Sequence, residues 1–113
     1  MVNDQRHLAA VPPGVTVVAM PAEVDLASAT DANAAMLAAV ALDVALVVVD
    51  FTQTILCATV GIRELVVAHR LARAFDIELR VVAPAKLMQI FRLTGLDCFL
   101  SFYPTLPAAL APS

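Results

Sequence analysis

The sequence is poor in the side chains that hold metal ions or attack substrates. It contains two histidines, His7 and His69, and two cysteines, Cys57 and Cys98, and their positions match no spacing typical of metal ligands. No acid, base and nucleophile emerge as a group, and His69 is expected to be a partly exposed helix residue. We therefore expect no enzyme, no metal and no cofactor. Both cysteines are predicted to be buried free thiols in a reducing compartment.

Positive charge is scarce as well. The net charge is -3, and the arginines at 63, 70, 73 and 80 are scattered, so nucleic acid is not expected as a direct ligand. Residues 3–7 are polar and leave no apolar core for a secretory signal. These absences predict a cytoplasmic protein.

Apolar residues, in contrast, are abundant. They make up 61% of the 113 residues, with a mean hydropathy of +0.86, which excludes a disordered chain and fits one small domain. The candidate for a membrane span, residues 34–49, contains Asp43, which would cost roughly 3 kcal/mol near a bilayer centre. After Asp43 the sequence also changes from helix formers to β-branched residues. We predict a helix followed by a buried strand, and no membrane span.

The most informative stretch is residues 46–71, where the hydrophobic period changes midway. The β-branched run from Leu46 to Val49 predicts a strand buried on both faces, which ends at Asp50. Polar residues 52–54 predict a loop. From Thr59 the pattern is helical, with basic residues near the end of the helix, where the helix dipole favours them.

Thr59 stands where this helix is predicted to begin. As an N-cap, its hydroxyl would accept a backbone N–H from Gly61 or Ile62. A hydroxyl at a helix N-terminus is also a good site for a phosphate, because free N–H groups and the positive end of the dipole favour the added charge. Taken alone, the residues favour the capping role.

Strand and helix signals alternate along the rest of the chain. Strands are predicted at 6–10, 15–20, 77–82 and 99–103, an extended piece at 22–26, and helices at 29–42, 86–93 and 104–109. Residues 11–14 predict a turn, Asp25 or Ser28 a cap for the first helix, and Gly95 the stop of a later one. This alternation predicts an α/β fold with parallel neighbouring strands.

Three short segments resemble those of a known family. Residues 22–26, Ala-Glu-Val-Asp-Leu, are similar to its Gly-Glu-Leu-Asp-Leu segment, residues 47–52 to its strand ending in Asp-Leu-Ser, and residues 93–97 to its Leu-Thr-Gly-Leu-Asp stop. The family is the STAS domain of bacterial anti-sigma factor antagonists. The resemblance implies one STAS domain over residues 1–113, with a core at about 15–110. It also implies a small mixed, mostly parallel sheet of four to five strands, with helices packed mainly on one face.

The regulatory motif of the family, Asp-Ser-Ser-Gly, falls on Ala58, Thr59, Val60 and Gly61. By this match Thr59 takes the place of the serine that a partner kinase phosphorylates, whereas Ala58 and Val60 lack the carboxylate and the second hydroxyl. The resemblance implies that the protein without phosphate binds an anti-sigma factor with a histidine-kinase-like ATPase fold and so frees a sigma factor for transcription. ATP and Mg²⁺ would belong to that kinase.

The expected partner-binding surface surrounds the start of the same helix. It comprises Glu23, Asp25, Thr59, Gly61, Ile62, Arg63 and Val66. Ile62 and Val66 would be exposed anchors, or else would face the sheet as core residues. Two alternatives stay open: a STAS interaction module that takes no phosphate and acts by constitutive binding or by weak homodimerisation, and a sensor of small molecules or lipids.

Overall fold

The computed structural model describes residues 11–42 and 44–112. In chain order the elements are β1 (Val15–Ala19), β2 (Glu23–Val24), α1 (Ala29–Ala41), β3 (Leu46–Asp50), β4 (Leu56–Cys57), α2 (Thr59–Ala74), β5 (Glu78–Val82), α3 (Ala85–Leu93), the 3-10 turn η1 (Leu96–Cys98), β6 (Ser101–Tyr103) and α4 (Leu106–Leu110). Each predicted helix and strand within these residues is present, with ends shifted by a few residues. The predicted strand at residues 6–10 lies outside the described residues.

Within the described residues, one main sheet has four strands in the order β1-β3-β5-β6, and every neighbouring pair is parallel. β3 occupies an inner position, and its three consecutive valines at 47–49 have no exposed surface. A strand covered on both faces needs apolar side chains at successive positions, which explains the unbroken valine run. At its carboxyl end, Asp50 is buried and accepts the N–H of Thr52 at 2.8 Å, so its carboxylate serves a local turn.

The two faces of the sheet are covered unequally. On one face, Val47 and Val49 join a large core formed with α1, α2 and α3. On the other, Val48 and Val82 pack against Leu106 and Ala109 of the short helix α4, the one helix among the described residues that contributes to this smaller cluster. The predicted α/β fold, with a small, mostly parallel sheet and helices packed mainly on one face, is therefore confirmed.

A buried arginine fastens α4 to the thinly covered face. Arg80 of β5 is 5% exposed, and its Nη1 donates to the carbonyl oxygens of Ala109 at 2.8 Å and Ala111 at 2.9 Å. Its Nε donates to Glu78 at 2.7 Å, and the guanidinium lies 5.6 Å from the ring centroid of Tyr103. The hydrogen bond that Arg80 donates to Glu78 raises the pKa of Arg80, so the side chain stays charged. One cation thus satisfies carbonyl groups that the end of a helix leaves without intrahelical partners.

The segment weighed as a membrane span divides as the sequence predicts, with α1 ending at Ala41 and β3 beginning at Leu46. Across the described ranges, no helix has both the length and the apolar character that crossing a bilayer requires.

Candidate functional site

A short parallel ribbon brings the acidic segment at residues 22–26 to the start of α2. β2 pairs with β4, and Glu23 lies opposite Leu56. The ribbon continues at its far end, where the N–H of Ala58 donates to the carbonyl oxygen of Val24 at 2.8 Å. Sequence reasoning found the extended piece at 22–26 but missed β4, because a strand of two residues shows no periodicity.

The helix begins one residue earlier than a Thr59 cap requires. Ala58 is the N-cap, in an extended conformation with φ -76° and ψ 166°, and its own side chain makes no capping hydrogen bond. The carbonyl of Ala58 accepts the N–H groups of Gly61 at 2.9 Å and Ile62 at 3.3 Å, the two groups that the Thr59 hydroxyl was expected to bind. The capping prediction was wrong because the ribbon hydrogen bond holds Ala58 extended.

Thr59 is therefore the exposed first residue of α2. Among the described residues, no hydrogen bond engages its hydroxyl. The hydroxyl stands at the helix terminus whose N–H groups lack intrahelical partners and whose dipole end is positive. This arrangement suits an added anionic group better than it suits a cap.

Gly61 is buried and lets α2 approach the ribbon closely. A Cβ at this position would lie 2.5 Å from Cγ1 of Val24 and 3.0 Å from Sγ of Cys57, which is too close for ordinary packing. Gly61 was predicted as a partner-binding residue. The structure gives it an indirect part, since it shapes the surface around Thr59 without offering an exposed group.

The two predicted acidic residues differ in their surroundings. Asp25 is half-buried, and its Oδ1 accepts the N–H groups of Ala27 at 3.0 Å and Ser28 at 3.1 Å. Ser28 is the N-cap of α1 without a side-chain bond to the helix, and its Oγ donates to the carbonyl oxygen of Glu23 at 2.7 Å. Asp25 thus stabilises the turn before α1. Glu23, in contrast, is exposed to solvent.

The predicted residues on α2 also separate into two groups. Arg63 is exposed and follows Thr59 by one turn, so both lie on one helix face. Ile62 and Val66 are half-buried and pack against the main core. Each can offer only part of its side chain to a partner, because the rest already contacts this core.

Three apolar side chains that sequence reasoning missed are strongly exposed around the ribbon. Leu26 is 82% exposed, Ile55 80% and Leu56 49%. Clustered exposed apolar residues often mark interaction surfaces. The sequence does contain a sign of this exposure. Ile55 and Leu56 directly follow the polar run at 52–54, in a stretch where no core position is predicted.

The two cysteines have different environments. Cys57 is buried beneath the start of α2, and burial raises the pKa of its thiol to about 11. Cys98 is exposed, so the prediction that both are buried was wrong for Cys98. The tight turn η1 directs Leu96 into the core and leaves Cys98 at the surface.

Cys98 should therefore react far faster than Cys57 with a thiol reagent. At pH 8, a thiol with a pKa near 11 is ionised in only about one molecule per thousand, and the thiolate is the nucleophile. Intact-mass analysis after iodoacetamide treatment should show one adduct on the native protein and two after denaturation. A Cys98→Ser variant should remain unmodified while folded. Rapid alkylation of that variant would contradict the buried position of Cys57.

In the portion of the chain that the structure describes, no group of three or more histidine, cysteine, aspartate or glutamate side chains is placed to hold a metal ion.

The sequence matches the family model described as STAS domain over residues 8–109. No curated protein matches it significantly. Among solved structures, it is similar to an anti-sigma factor antagonist from Mycobacterium paratuberculosis, with 29% identity and a TM-score of 0.78 over 88% of this chain and 85% of that chain. The cell fate determinant SpoIIAA from Bacillus, in its phosphorylated form, has 17% identity and a TM-score of 0.66 over 88% and 90% of the respective chains. A Thermotoga maritima protein has 15% identity and a TM-score of 0.77 over 88% and 86%.

Proposed function

This chain belongs to the STAS domain family, and we propose that it acts as an anti-sigma factor antagonist whose binding is switched by phosphorylation of Thr59. Without phosphate it binds an anti-sigma factor of the histidine-kinase-like ATPase fold and frees a sigma factor, so its place of action is the cytoplasm. The observation that supports this proposal best is the position of Thr59, which is the exposed first residue of α2. Its hydroxyl forms no hydrogen bond with another described residue. The ATP and Mg²⁺ that the phosphorylation requires are bound by the partner kinase, not by this chain.

The start of α2 can accept a phosphate without loss of the fold. The first N–H groups of a helix have no intrahelical partners, and the helix dipole places positive charge there. A phosphate on Thr59 would add about -1.5 to -2 charges at this point. The folded protein tolerates that charge, so the modification acts on binding and not on stability.

The proposed contact surface, named the switch face, combines apolar and charged groups. It consists of Glu23, Leu26, Ile55, Leu56, Thr59 and Arg63. Its apolar side chains supply the burial that drives association, at roughly 25 cal/mol per Å² of apolar surface. A phosphate in this surface would have to lose its bound water for the partner to dock, which is unfavourable. It would also repel acidic groups of the partner. Phosphorylation should therefore release the partner.

A second function, constitutive binding without phosphorylation, is supported by the residues beside Thr59. Ala58 provides no carboxylate at the N-cap, and Val60 is half-buried and carries no hydroxyl. In this case the same switch face would bind its partner, or a second copy of the chain, without regulation by a kinase.

The decisive experiment incubates the protein with each kinase-type anti-sigma factor of the same genome, with ATP and Mg²⁺. We expect one phosphate on Thr59 by intact-mass analysis and peptide mapping, and loss of the complex on size exclusion after phosphorylation. Thr52 and Thr94 are also exposed and serve as internal controls that should stay unmodified. A stable complex without phosphate would favour constitutive binding. Absence of any complex would contradict the antagonist role.

A further inference from the structure

An open groove lies towards the end of α2, away from Thr59. It is lined by Val66, His69, Arg70 and Arg73 of α2 and by Phe99, and its volume is about 490 Å³. The rings of His69 and Phe99 lie with their centroids 5.4 Å apart. Phe99 is 49% exposed, so its ring forms an apolar wall that is still open to solvent.

The groove is positively charged in a chain whose net charge is -3. Arg70 and Arg73 are both exposed, and neither forms an ion pair with another described residue. Like charges three residues apart on a helix repel each other. Among the described residues that line the groove, none carries a carboxylate that could offset them. The two arginines thus leave a positive field that is directed towards solvent.

His69 adds a neutral ring to this groove at pH 7. Partial burial, together with the charges of Arg73 and Arg70, lowers the pKa of His69 below its ordinary value. The groove therefore presents two permanent cations beside an uncharged, largely apolar wall. Its complement is a ligand that carries both carboxylates and an apolar side chain.

We propose that this groove binds an acidic segment of the anti-sigma factor, with carboxylates on Arg70 and Arg73 and an apolar side chain against Phe99. The inference rests on the proposed function for the identity of the partner. Arginine suits this role because its planar fork can donate two hydrogen bonds to one carboxylate.

The shape of the groove favours a polypeptide over a small molecule. Small-molecule sites usually bury roughly 70–90% of their ligand. In the part of the chain that the structure describes, one side of α2 and Phe99 after η1 form this groove, and these two walls do not enclose a compact ligand. A segment that lies along the helix would instead contact the lining over its whole length.

The position of the groove extends the switch face along the same helix. Arg70 follows Arg63 by two turns, and the distance along α2 from Thr59 to Arg73 is roughly 21 Å at 1.5 Å per residue. One partner can therefore contact both ends of α2. Charge at the groove would also steer the encounter, which makes association faster at low ionic strength.

The test compares two double variants with the same change in net charge. Arg70→Glu with Arg73→Glu reverses the groove, whereas Lys86→Glu with Arg92→Glu reverses two exposed cations on α3. The anti-sigma factor is titrated at low and high NaCl concentration. We expect the groove variant to bind about tenfold more weakly and to lose most of its salt dependence, while the α3 variant stays within about twofold of wild type. Circular dichroism checks that both variants fold.

The outcomes separate this inference from the proposed function. Wild-type binding by the groove variant would overturn the groove proposal and leave the antagonist role intact. If no anti-sigma factor binds, a synthetic peptide of glutamate, leucine and phenylalanine is titrated with NMR detection. Shifts at the groove that vanish in the groove variant would support an acidic ligand. Absence of these NMR shifts, or the same shifts with inorganic phosphate alone, would overturn the groove proposal.

Discussion

Replacement of Thr59 with glutamate is expected to abolish binding of the anti-sigma factor while the fold remains intact. Thr59 is the exposed first residue of α2, where a carboxylate interacts favourably with the helix dipole by roughly 0.3–1 kcal/mol. The melting temperature should therefore be unchanged or slightly higher. In the complex the same carboxylate would lose its water, and exposed Arg63 one turn further along α2 would offset only part of that cost, which is about 3 kcal/mol or more. Calorimetry should show affinity reduced by roughly a hundredfold or more.

Three control variants test whether the effect belongs to this position. Thr59→Ala and Thr59→Ser should bind as wild type, because neither introduces a charge. Ala85→Glu places a carboxylate at the exposed first residue of α3, which matches the helix position and the change in net charge. Normal binding by Thr59→Glu would argue against the switch and for constitutive binding. Equal losses in Thr59→Glu and Ala85→Glu would point to net charge alone.

Gly61→Ala is expected to destabilise the protein, although the same change in an open helix is stabilising by roughly 0.8–1 kcal/mol. The new methyl group would lie 2.5 Å from Cγ1 of Val24, whose branched side chain is 2% exposed and cannot rotate away easily. Overpacking of this kind costs about 1–3 kcal/mol. Urea unfolding should therefore show a lower midpoint for Gly61→Ala than for wild type.

The Val24→Ala background shows whether this contact is the cause. Val24→Ala alone should destabilise the protein because it removes buried methyl groups. It also removes the 2.5 Å contact, although Sγ of Cys57 would still lie 3.0 Å from a methyl group at position 61. The second change, Gly61→Ala, should therefore cost clearly less in this background than in wild type. A double-mutant cycle measures the difference. Simple additivity of the two changes would refute the explanation by close contact.

Periodicity predicted the elements of this fold well where many residues contribute. The valine run of β3 and the apolar pattern of α2 each indicate burial at several positions. The prediction of a strand and of a helix there therefore did not depend on any single contact. The cap of α2 differed, because a hydrogen bond from Ala58 to Val24 across the ribbon decides which residue is still extended. A long-range bond of this kind leaves no pattern in the neighbouring sequence.

For the candidate site, the sequence predicts which residues take part but not the contacts that each of them makes. The family resemblance predicts the switch at Thr59, and the structure shows that Thr59, Glu23 and Arg63 are exposed, while their roles stay predictions. The buried position of Gly61 and the turn made by Asp25 follow from contacts with Val24 and Ser28. The groove at the end of α2 combines that helix with Phe99, which packing brings together from a later part of the chain.

The attachment of α4 has a consequence for the timing of local motions. Arg80 is fixed in an inner strand of the sheet, so it cannot follow α4 when that helix detaches. Separation of α4 and entry of water around the guanidinium must therefore happen as one event, because a buried charge without its carbonyl partners is strongly unfavourable. We therefore expect α4 to detach in a single step. Detachment would admit solvent to one face of the sheet while the helices on the other face keep the core closed.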